Sequence, residues 1–145
     1  MKNHFAEDYK IYEELKRRYG AAKTEEEKET VRREHTAWQT EMEETETEEY
    51  TMLYHLYSEA RERGNEYIDF CEPHQYSDPK RLVSAMRTHG VEAFSFSSTW
   101  SSAVETAWAF LQAGCTMEGM VKINTPYKAF GTDDYEKKPA YLFKL

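Results

Sequence analysis

A helical phase that persists across a run of like charge restricts this chain more than any other feature. If each residue advances about 100° around an α-helix, Val31, Trp38, Met42, Leu53, Leu56 and Ala60 fall within about 60° of one another. That seam predicts a single helix from about Glu25 to Arg63, about 58 Å long and stopped by Gly64, with a break near Thr45 or Thr47 as the competing reading. Thr24 and Glu27 supply a capping box at its start. In the preceding segment, Phe5, Tyr9, Tyr12, Leu15 and Tyr19 recur at spacings of three and four and predict an amphipathic helix ended at Gly20. At about 24 Å, that helix covers less than half of its neighbour in an antiparallel hairpin. Leu53, Leu56 and Ala60 then need cover from the remainder of the chain.

From Glu66 onward the periodicity changes to short apolar runs alternating with helices. Glu66–Cys71 reads as a strand, and Ser77-Asp78-Pro79 opens a helix that runs through Met86 and ends near Gly90. Val91–Ser97 alternates as a half-buried strand does, Trp100–Gly114 reads as a helix, and Met117–Asn124 and Ala140–Leu145 read as strands. The fold class is therefore α+β. A helical hairpin with one long helix (1–64) precedes a unit (65–145) with a four-stranded mixed sheet and two helices, in the order β-α-β-α-β-β. Two β-α-β connections predict parallel neighbours with right-handed crossovers, while the last strand is free to pair on either side. Trp100, Trp108, Phe110 and Leu111 are spaced for helix packing and are assigned to the core.

The long helix carries the segment EMEETETEE, in which Glu41, Glu43, Glu44, Glu46, Glu48 and Glu49 are accompanied by no base. Between Glu34 and Ala60 there are eight glutamates and not one lysine or arginine, against a net charge of −8 for the 145-residue chain. Like charges three or four residues apart each cost a few tenths of a kcal/mol on a helix. As a helix the segment spreads six carboxylates over about 12 Å, near the spacing of phosphates along duplex DNA. These six residues are the candidate partner-binding set, and a basic protein surface is the natural complement. Their directions around the axis form no single stripe, which equally describes a solvated face. The charge disfavours direct binding to nucleic acid or anionic lipid. No run approaches the length of a membrane helix and no secretory signal is seen, so a soluble cytoplasmic protein is expected.

The signals for chemistry are sparse. Ser97, Ser98 and Thr99 follow a strand and open a helix, a geometry that receives anions, and they form the alternative ligand-binding set for a small ligand or nucleotide. Ser102 with Glu105 also reads as a capping box, which accounts for these residue types without a ligand. Cys71 and His74 form the one near-metal spacing and lack a second ligand pair, so no metal and no cofactor are expected. No nucleophile elbow, paired carboxylates or Ser/His/Asp order nominates a catalyst, and a non-enzymatic protein is the preferred reading.

The stretch VEAFSFSSTWSSAVETAWAFLQAGCTMEGMVKIN, followed by DDYEKKPAYLFKL, resembles uncharacterised small proteins of phages, plasmids and integrative elements of gut Firmicutes. That resemblance implies an inhibitor of host defence, including the anti-CRISPR type, whose partner is a basic, nucleic-acid-binding effector. Extending it to Glu41–Glu49 is an inference from charge alone, since the acidic helix lies outside the resembling stretch. A homodimer through the helical seam around Trp38 and Met42 is the remaining expectation.

Overall fold

The computed structural model describes residues 4–71 and 78–145. Three helices come first: α1 (His4–Ala21), α2 (Glu25–Thr45) and α3 (Glu48–Glu62). They are followed by β1 (Ile68–Phe70), α4 (Pro79–Thr88), β2 (Ala93–Phe96), α5 (Ala103–Gln112), β3 (Thr116–Lys128) and β4 (Tyr135–Lys144). The α+β class and the order of strands and helices are as the sequence predicts. The Cys71–His74 spacing and the expected cap at Ser77 involve residues outside those described.

The single long helix is corrected to two. Glu46 and Thr47 are both extended, with ψ near 167° and 161°. Two electrostatic facts favour a break there. The last turn of α2 holds no basic residue, so its carboxylates face the negative end of the helix dipole, whereas Glu48 and Glu49 sit at the favourable, positive end of α3. Thr45 turns its hydroxyl back onto the Glu41 carbonyl at 2.7 Å, and Thr47 Oγ1 accepts the Tyr50 N–H at 3.1 Å, starting the next helix. Thr47→Ala is expected to lower stability by about 1 kcal/mol, read as a shift in the urea midpoint. An unchanged midpoint would show that the hydroxyl does not hold the joint.

The remaining helix ends follow local rules. Thr24 accepts from Glu27 N–H as expected, but Glu27 returns its bond to the N–H of Lys23 at 2.7 Å and not to that of Thr24. α3 ends at Gly64, whose φ of 74° suits a residue without Cβ; the Asn65 N–H reaches the Ala60 carbonyl at 2.8 Å and the Gly64 N–H reaches that of Arg61. Asp78 caps α4 by accepting the Lys80 N–H at 3.0 Å. The Ser102 side chain makes no capping bond, so the box expected with Glu105 does not form.

In the sheet the strand order is β1-β2-β4-β3. β1 and β2 are parallel neighbours, joined through α4, while β4 inserts antiparallel between β2 and β3. The second β-α-β connection therefore spans a gap that the last strand fills. The register Ile68↔Phe94, Phe70↔Phe96 and Phe94↔Phe143 puts these rings on one face, where Phe110 of α5 meets Phe94 at 4.8 Å and Phe143 at 5.5 Å. At the helical end, Phe5 stacks on Tyr50 at 4.8 Å, and the Tyr50 hydroxyl donates to Asp8. One apolar cluster runs from Phe5 through Leu53, Ile68 and Leu82 to Phe143. It crosses the division at residues 64/65, because α3 packs against both β1 and α4.

Two expectations about burial are corrected. Of the apolar residues assigned to the core of α5, only Phe110 is fully buried; Trp108 is 60% exposed, and Trp100 and Leu111 are also exposed. Conversely, the seam at Trp38 and Met42 is closed within the molecule. Met42 is buried, and Trp38 packs against Tyr12, His35 and Tyr54. β3 is an edge strand, and its outer edge is covered at one point. Asn65 clamps Asn124 there, accepting its N–H at 2.8 Å and donating to its carbonyl at 3.0 Å.

Candidate functional site

The joint between α2 and α3 sets the glutamates at a corner of the molecule, and they do not stand on a free rod. Glu41, Glu43, Glu44, Glu46 and Glu48 are exposed, and none forms an ion pair among the described residues. Glu49 differs: its side chain is only 13% exposed, and its carboxylate pairs with Arg81 of α4. One member of the candidate partner-binding set is thus occupied inside the molecule, fastening the start of α3 to the α/β unit. Five members remain turned to solvent.

A groove of about 560 Å³ opens at this corner. Glu43, Glu46 and Glu48 line it from both sides of the joint, with Thr51, Met52, His55 and Leu56 of α3 along its length. Met52 and Leu56 are partly buried, so apolar surface lies beneath a carboxylate rim. Glu59 at the far end is partly matched by Arg63 at 3.5 Å. The field of Glu46 also reaches inward. It adds to the burial that raises the Tyr50 phenol, and it opposes the burial that lowers the His89 imidazole. Such a site can receive a cationic side chain carried on an apolar stem, as Lys and Arg are.

The alternative set is placed differently. Ser97 is buried, and its hydroxyl donates to Asp69 at 2.6 Å; Ser98 Oγ accepts the Trp100 N–H at 3.2 Å within a turn. Thr99 is exposed. None of the three lines the groove at the α2–α3 corner. Their serines are spent on internal bonds. Asp69, which sequence reasoning passed over, is the more unusual group. Its carboxylate also accepts the Ser95 hydroxyl at 2.5 Å, and burial holds its pKa above the ordinary aspartate range against the pull of both serines, Lys138 and Arg63. The signal was available in IDF and FSFS, since a parallel register that faces Phe70 with Phe96 also faces Asp69 with Ser95.

Among the described residues no group of three or more His, Cys, Asp or Glu could hold a metal ion, and no helix is long and apolar enough to cross a membrane. Residues 52–145 match the model of a family described as a domain of unknown function (DUF7698). No curated protein and no solved structure matches the chain. The match begins within α3, so the five exposed glutamates precede it, whereas Asp69 and the sheet lie inside it.

Proposed function

The chain belongs to the DUF7698 family through residues 52–145, a description that carries no activity, and we propose that it is a binding protein whose acidic α2–α3 corner engages a basic surface of a nucleic-acid-binding partner. The observation that carries this reading is the groove at the joint, with Glu43, Glu46 and Glu48 unpaired on its rim and Met52 and Leu56 beneath them. Carboxylates held at this density compete for sites that otherwise receive phosphates. The apolar floor adds a contact that a nucleic acid does not offer. Inhibition of a defence effector of the CRISPR type is one role such competition would serve.

Long-range attraction of this kind raises the association rate and weakens as salt is added. An arginine-rich amphipathic peptide is a direct probe of the corner. Reversing Glu43, Glu44, Glu46 and Glu48 to lysine is expected to weaken its binding at least tenfold, and raised salt to weaken binding to the native chain. The helical circular dichroism signal should be retained, because these side chains form no ion pair among the described residues. If the reversed variant binds the peptide as tightly as the native chain, the acidic corner is not the site.

A further inference from the structure

The helices that cover the ring-bearing face of the sheet leave one end of it bare. α4, which joins β1 to β2, packs along one flank of α5, where Arg87 donates to the Ala113 carbonyl at 3.2 Å. At about 100° per residue, Thr106, Ala109 and Ala113 share that flank and are partly buried, and Ala107 and Phe110 come next around the axis, buried against the sheet. Val104, Trp108 and Leu111 follow, within about 60° of one another, and all three are exposed. The strand order β1-β2-β4-β3 turns this third flank toward β4 and β3. There Met117 lies opposite Phe143 and Met120 opposite Tyr141, so Met117, Met120 and Tyr141 share the face of the buried Phe143. The slip between Met117 and Gly119 is what lets two strand residues three apart point the same way.

The size and charge of this patch indicate what covers it. Val104 is 79% exposed and Met120 61%, and Leu111, Met117 and Tyr141 are each open by more than a third. For side chains offering on the order of 150–250 Å² each, these five and Trp108 leave about 600 Å² of largely apolar surface uncovered. A monomer seldom exposes more in one patch, and two such patches laid together bury about 1,200 Å², where specific protein interfaces begin. None of the six side chains is charged, in a chain whose net charge is −8. Two copies of such a chain repel unless they meet on neutral surface with their acidic surfaces held apart. Both conditions are met here, because α3, with the carboxylates of its joint, packs against β1 at the opposite edge of the sheet from β3. The patch also has two halves, a helical ridge and a strand shelf beside it, so a two-fold rotation can seat the ridge of each copy on the shelf of the other. We propose that the chain forms a two-fold symmetric dimer through the open flank of α5 and the adjoining face of β3 and β4, with Trp108 and Met120 at its centre.

Sedimentation equilibrium across concentration tests this directly, and the native chain is expected to dimerise. Trp108→Lys and Met120→Lys, each alone, should raise the dimer dissociation constant at least tenfold, even though each reduces the net negative charge of the chain. Both positions are exposed, so the circular dichroism spectrum should not change. Reversing Glu43 and Glu46 to lysine at the acidic corner is expected to leave the dimer constant within twofold. A native chain that stays monomeric would overturn the proposal and leave the face to a different protein. Face variants that dimerise as the native chain does, or a dimer lost only in the corner variant, would overturn it as well. Methionine oxidation by dilute peroxide, read by peptide mapping of the native chain, needs no variant. Oxidation of Met117 and Met120 should slow as the chain is concentrated while that of Met52, at the acidic corner, does not. Equal rates at every concentration would refute the contact.

Discussion

Replacing Phe110 with alanine will lower the free energy of unfolding by about 3–5 kcal/mol. The ring is fully buried and touches Phe70, Phe94, Phe96 and Phe143, with centroid separations of 5.9, 4.8, 5.7 and 5.5 Å. It therefore ties α5 to β1, β2 and β4 at once. Aromatic rings packed edge-to-face can relax little into a vacated space, so both the lost contacts and the cavity weigh on the fold. A ten-residue helix is marginal by itself. Besides Phe110, only Ala107 of α5 is buried, so nothing else on the helix substitutes for the ring. Urea denaturation measures the loss, and Phe110→Leu should recover a large part of it. A loss below about 1 kcal/mol for Phe110→Ala would mean that α5 is held by other contacts.

Asp69→Ala is expected to cost about 2–4 kcal/mol, because it removes the acceptor shared by the buried hydroxyls of Ser95 and Ser97. Asp69→Asn keeps an acceptor and should cost less. The two variants also separate a pH effect. Burial is the largest cause of the raised Asp69 pKa, so the folded state holds this proton to a higher pH than the unfolded chain, whose ordinary value is about 3.9. Between those two values the folded form binds more protons, and stability from this group falls as pH rises. Its contribution is fully present below the unfolded value and gone above the folded one. Asp69→Asn removes that slope. Unfolding curves recorded from pH 3 upward should therefore draw together at acid pH and separate in shape above it; parallel curves for the two proteins would contradict the assignment.

Much of the architecture follows from local chemistry. The apolar spacing of Phe5, Tyr9 and Leu15, the cap at Thr24, the glycine at 64 and the Asp78-Pro79 start each specify an element without reference to the rest of the chain. The failures share a cause, which is that they depend on what an element meets. Helical phase alone cannot detect two extended residues between Thr45 and Glu48, because Leu53, Leu56 and Ala60 return to register on the far side. α5 is apolar nearly all round, so spacing cannot decide between the side with Ala107 and Phe110 and the side with Val104 and Trp108. The sheet settles it, since its ring-bearing face takes Phe110. Glu49 reads as one more exposed carboxylate until α4 brings Arg81 beside it. The position of β4 between β2 and β3 is likewise a property of the assembled sheet, not of any one strand.

The ring stack between α1 and α3 bears on how this protein can be shortened or recombined. Phe5 lies against Tyr50 and Tyr57, and Tyr9 against Tyr57, so the amino-terminal helix serves as a lid on the very helix in which the family match begins. A fragment started at Met52 would lose Phe5, Tyr9 and Tyr50 from this stack, keeping only Tyr57, and leave Leu53 and Tyr54 wet. Any relative without α1 must roof that helix with some other segment, and a graft of this domain onto a new host has to carry its roof along.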